Sequence, residues 1–177
     1  PSNIHDNPYS IGTIDFTGDM PIVLGRDGPS LGGFVCPATI AQDDFWKIGQ
    51  ARAGDTVRFV PRLAPPSASA SASASASASA SAGSDELVRR FGDAVLRVVA
   101  PDDRPTLTIR RAGDAHVLVE YGENVLDLML RLRVAALMAA VDADRHQGIR
   151  EMVPGIRSLQ IGFDPATVSA AEIVELV

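Results

Sequence analysis

The chain has 177 residues, 46% of them hydrophobic, and a formal net charge of -6. That is enough apolar content for one domain or two small ones, but no run of Lys or Arg builds the basic stripe that nucleic-acid binding requires. Cys36 is the only cysteine, which excludes an internal disulfide and fits a reducing compartment. No apolar stretch reaches the roughly 20 residues of a membrane-spanning helix and no signal-peptide pattern opens the chain, so a cytoplasmic protein without membrane partners is expected.

Residues 2–36 concentrate Gly, Pro and polar side chains without low complexity, the make-up of an active-site wall. From Ile11 to Phe59 short apolar pieces such as Pro21-Ile22-Val23-Leu24 alternate with Gly-Asp, Asp-Gly-Pro and Gly-Gly steps, which predicts short strands and turns. Gln42 to Gln50 is predicted as a helix with Phe45, Trp46 and Ile48 as its apolar surface, and Thr56 to Val60 as a strand. Residues 67–82 are a perfect Ser-Ala alternation. These side chains bury too little apolar area to offset the entropy of ordering, so a disordered linker is expected. Asp85 to Ala100 reads as a short helix running into a strand.

Leu107 to Arg111 and His116 to Tyr121 alternate as two strands around an Ala112-Gly113-Asp114 turn. Asn124 is predicted to cap a helix closed by Gly148, with Val125, Leu128, Met129, Leu132, Ala136 and Ala139 as its core stripe. Ile149 to Val153 and Arg157 to Phe163 form a second strand pair around Pro154-Gly155, and Ser169 with Glu172 makes a capping box for a last helix. The order ββαββα predicts an α+β sandwich with both helices on one face of an antiparallel sheet.

Ser2 to Asp6, Tyr9-Ser10-Ile11-Gly12, Phe16 to Pro21 and Gly28 to Pro37 together resemble the carboxyltransferase region of biotin-dependent urea carboxylases. Gly113-Asp114, Leu118 to Gly122 and Glu151 to Leu159 resemble the second half of that region, the allophanate hydrolase subunit 1 type module. The resemblance implies three parts: residues 1–63 as the C-terminal part of a subunit 2 type module with a cyclophilin-like barrel architecture, 64–104 as a low-complexity linker, and 105–177 as the start of a subunit 1 type module. With Pro1 at its start and Val177 inside a predicted helix, the chain is read as a fragment of such an enzyme, inactive alone. The implied reaction is carboxyl transfer from carboxybiotin to urea, giving allophanate. Urea and the parent's biotin carboxylase and biotin carrier domains are the implied partners, with ATP used only in those other domains. Two alternatives stay open: a 5-oxoprolinase-type component, and a regulatory module like the sporulation-kinase inhibitor that subunit 1 type proteins resemble.

Such chemistry needs acceptors for urea N–H groups and donors for a developing ureido oxyanion, in a site closed to water. His5, Asp6 and Asp19 are the candidate catalytic residues, and Asn3, Ser30, Gly32 and Gly33 the candidate substrate-binding ones. Each has a plainer reading beside it. His5-Asp6 points its side chains to opposite faces of a strand, so spacing alone makes no dyad, and Gly18-Asp19 is also an ordinary turn. Ser30 lacks a nucleophile elbow. Glu151 and Arg157 flank a turn and are expected to pair across it. Lys47, the only lysine, sits in Phe-Trp-Lys-Ile rather than a Met-Lys-Met biotin acceptor, so biotin must come from elsewhere. His116, His146 and Cys36 do not make a metal-ligand spacing.

Overall fold

The computed structural model describes residues 3–60, 94–144 and 146–177. The Ser-Ala alternation, and with it the predicted linker, lies outside the described residues. The protein is a sheet-rich α+β structure with few helices.

The first 60 residues form two small sheets. Strands β1 (Asn3–Pro8) and β4 (Leu31–Phe34) pair as an antiparallel ribbon. Strand β2 (Thr13–Thr17) is the middle of a three-stranded sheet, between β3 (Met20–Val23) and β5 (Ala38–Thr39). Thr17 pairs with Met20 across the two-residue turn Gly18-Asp19, where Gly18 takes φ 75°, a region that favours glycine. Helix α1 (Gln42–Ile48) follows and ends at Gly49, but buries none of its residues; Trp46 is exposed. Residues 56–60 correct the predicted strand: they are irregular and exposed, because Val57, Phe59 and Val60 meet no strand among the described residues.

The second half builds one five-stranded antiparallel sheet in the order β6-β7-β8-β10-β9. The strands are β6 (Val95–Val99), β7 (Leu107–Arg111), β8 (His116–Tyr121), β9 (Ile149–Pro154) and β10 (Ser158–Phe163). Both predicted hairpins are present in register, Ile109 against Val119 and Gln160 against Val153. β6 adds an edge strand inside the stretch 64–104, so the sheet begins at Val95.

Alternation along these strands divides the sheet into two faces. Ile109, Val117, Val119, Leu159 and Ile161, all at most 1% exposed, point to the helices α2 (Leu128–Asp144) and α3 (Ala170–Leu176) and form the core with Val134 and Ile173. Each such side chain contributes about 1.5–3 kcal/mol by leaving water. The capping box of α3 is formed, Ser169 Oγ accepting from Glu172 N and Glu172 Oε2 accepting from Ser169 N.

Helix α2 departs from expectation in two ways. It starts at Leu128, capped by Asp127, whose Oδ1 accepts from Met129 N at 2.7 Å, and not at Asn124. Its buried line is Leu130, Val134 and Val141, while the predicted stripe of Leu128, Met129 and Leu132 faces solvent. A helix with apolar residues on two opposite faces carries no pattern that says which of them turns inward. Asp127→Ala is expected to cost about 1 kcal/mol of stability and Asn124→Ala less than about half of that, measured by guanidinium unfolding of the two variants.

Candidate functional site

Most of the candidate residues meet on the β1–β4 ribbon. Asn3 pairs with Phe34 and Asn7 with Gly32, and the register shifts between these pairs. Ile4, His5 and Asp6 therefore stand against Gly33 alone, a backbone bulge of the kind that re-aims side chains beside active sites. Ser30, exposed, precedes β4 and its carbonyl accepts from Tyr9 N at 2.8 Å. Gly32 has a reason inside the fold: an added Cβ would collide with the ring of Tyr9, whose hydroxyl accepts from Phe34 N at 2.8 Å. Asp19 is not brought to this group; it is exposed at the tip of the β2–β3 turn.

The end of β1 runs onto the far face of the second sheet. β10 is buried along its whole length, apolar residues on the helix side and Ser158, Gln160 and Gly162 on the other. Gln160 Nε2 donates to Tyr9 O at 3.1 Å, and Ser158 Oγ to Asn7 Oδ1 at 3.4 Å. Both β10 residues are 1% exposed. Further along, Ser10 Oγ donates to Ala112 O, Gln42 N to Asp114 Oδ2, and Gly113 lies against Thr39. Four hydrogen bonds thus join segments remote in sequence, and the two at Asn7 and Tyr9 tie the candidate strand to the sheet. A buried amide costs free energy unless it finds such a partner, so Gln160 fixes the position of β1.

Two charged clusters share this face. Glu120, 8% exposed, accepts from Arg157 Nη2 at 2.6 Å and has Arg110 Nε at 2.6 Å from its other oxygen; Arg157 Nη1 also donates to Gly122 O. Arg157 therefore pairs with Glu120 and not, as expected, with Glu151. Register decides this: Ser158 stands opposite Glu120, whereas Glu151 stands opposite Gly162. Glu151 instead approaches His116, Oε1 to Nε2 at 3.2 Å, across Gly162, where a Cβ would meet both side chains. Lys47 lies outside all of this, exposed and bridged to Asp44 at 2.6 Å.

The sequence did not single out Asp15 as a site residue. On β2 it is 4% exposed, and its Oδ1 has no hydrogen-bond partner. Burial raises its pKa. Neighbouring Cys36, half-buried, is pushed up to about 12 by the same loss of solvent and by the Asp15 carboxylate, so its thiol is neutral and unreactive at ordinary pH. No group of His, Cys, Asp and Glu among the described residues suits a metal ion.

The chain belongs to the carboxyltransferase-domain family: residues 1–61 match carboxyltransferase domain, subdomain A and B, and residues 107–177 match subdomain C and D. More particularly, its relatives are urea amidolyases and urea carboxylases. It is 38% identical to the urea amidolyase of Lachancea kluyveri over 99% of this chain and 10% of that protein, and 37% identical to that of Saccharomyces cerevisiae over 100% of this chain and 10% of the protein. The crystal structure of the Kluyveromyces lactis urea carboxylase superposes with a TM-score of 0.77 at 36% identity, covering 99% of this chain and 16% of that one. The chain spans about a tenth of the length of the curated relatives it matches. No helix among the described residues is long and apolar enough to cross a membrane.

Proposed function

We propose that this chain is the joint of the carboxyltransferase in a biotin-dependent urea carboxylase, where its β1–β4 ribbon forms one wall of the site that carboxylates urea to allophanate. The observation that carries this reading is the bulge at Ile4-His5-Asp6 opposite Gly33, held to the second sheet through Asn7 and Tyr9. The first 60 residues are then part of a cyclophilin-like barrel whose remaining strands belong to a longer polypeptide. Biotin carboxylase and biotin carrier domains of that polypeptide are the proposed partners.

The residues at the bulge fit a ureido group. Carboxylates and amides accept its N–H groups, and glycine backbone admits a planar ring at close range. Biotin, carried in carboxylated, supplies the carboxyl group. Asp6 and Asn3 bind and orient urea, His5 holds or moves a proton at the attacking nitrogen, and main-chain N–H groups at Gly32 and Gly33 face the oxyanion. Ser30 lines the rim. The sheet beneath excludes water from one side.

In the enzyme that contains these residues, Asp6→Asn and His5→Ala are expected to lower urea-dependent allophanate formation about 10²–10⁴-fold. Bicarbonate-dependent ATP cleavage, carried out on other domains, should be unchanged in both. Full urea-dependent turnover in both variants would overturn the reading.

A further inference from the structure

Helix α2 presents a second apolar face opposite its core line. Leu128 is 72% exposed, Met129 61% and Leu132 52%, and Ala135, Ala136, Ala139, Ala140 and Ala143 are exposed as well. At 3.6 residues per turn, Leu128, Leu132, Ala136, Ala139 and Ala143 run down one stripe. An apolar stripe of this kind marks a packing surface.

We propose that the stripe packs against the same stripe of a second copy of this chain, the two α2 helices antiparallel about a twofold axis. Size and charge along the helix both select that arrangement. Along the stripe, leucines occupy the N-terminal half and alanines the C-terminal half, so reversing one helix seats Leu132 over Ala143 of the second copy and brings Ala136 onto its Ala139. Alanines at the crossing let the backbones approach closely.

The flanks agree in the same register. Arg131 and Asp142 lie three turns apart on one flank of the stripe, Arg133 and Asp144 on the other. In an antiparallel twofold pair each flank meets its own copy, so every arginine meets an aspartate. A parallel pair would set Arg131 against Arg133. The contact is isologous, as a twofold dimer requires. One helix pair falls short of the about 1,200–2,000 Å² of a standard interface, so the dimer forms in the micromolar range and not below it.

The test is sedimentation of the full 177-residue chain from about 1 to 200 µM. A monomer at the low end that becomes a dimer at the high end is expected. Leu132→Glu should abolish the dimer. Arg133→Glu and Asp144→Arg, both at positions outside the core, should each weaken it about tenfold, and the double variant should restore it, because the exchanged charges meet again. A chain monomeric at every concentration would hand the stripe to another segment or partner and overturn the proposal. So would a dimer that survives Leu132→Glu, or a double variant no tighter than the single ones.

Discussion

Replacing Glu120 with alanine is expected to lower the free energy of unfolding by about 3 kcal/mol, the low end of what removing one partner of a buried ion pair costs. Glu120 is 8% exposed and balances two guanidinium groups, Arg157 and Arg110. Arg110 has a partly exposed side chain and can turn to water when its partner is removed. Arg157 is held by Gly122 O and stays in place, a part-buried cation facing an empty position. The loss is thus the uncompensated charge of Arg157 more than the bond itself. Glu120→Gln, which keeps an acceptor without the charge, should fall between alanine and the parent. Guanidinium unfolding of the three chains checks the order, and a cost below about 1 kcal/mol for alanine would show that the cluster is solvated.

Asp15→Asn should act in the opposite direction and stabilise the fold by about 1–3 kcal/mol at neutral pH, because the amide removes the charge that burial disfavours. The sign follows from linkage. The folded pKa of Asp15 is raised by burial, so below the unfolded pKa of about 3.9 both states hold the proton and the aspartate carries no penalty. As pH rises through that value the unfolded chain releases its proton while the folded chain keeps it, and stability falls until the folded pKa is passed. The advantage of asparagine should therefore be absent near pH 3 and grow to a plateau above the folded pKa. Asp164 and Glu172, whose pKa values are lowered by hydrogen bonds from Arg150, Ala166 and Ser169, add stability that is lost toward low pH, equally in both chains. Their contribution cancels in the difference. Guanidinium, not urea, is the denaturant to use if urea is a ligand. An advantage that is constant with pH would mean that Asp15 is partnered in the folded state.

The strands were legible where one face is apolar and the other is not. Leu107 to Arg111, His116 to Tyr121 and Arg157 to Phe163 alternate with period two, and their pairing follows from short turns. The capping box at Ser169 was legible for a similar reason, since donor and acceptor lie within four residues. Asp15 was not, because Thr13-Ile14-Asp15-Phe16 reads as a strand with Asp15 turned outward. In the fold Thr13 and Asp15 are the buried pair, covered by neighbours remote in sequence. The partner of Arg157 was missed for the same reason. Adjacent residues of a hairpin are visible in sequence, whereas a cross-strand neighbour depends on register. Of the candidate site, the sequence marked residues that the fold sets on β1 and β4, but not the seam that holds them. Nothing near Tyr9 indicates that Gln160 is its partner.

That seam sets the order in which the two sheets are joined. Tyr9 and Gln160 are 151 residues apart, and at ribosomal speed the amide emerges roughly 8–30 s after the carbonyl it binds. During that interval the first strand has its ribbon partner β4 but no floor. A contact across so many residues leaves the first ribbon without its backing until β10 has been made, so the candidate wall becomes rigid only when the second sheet has formed.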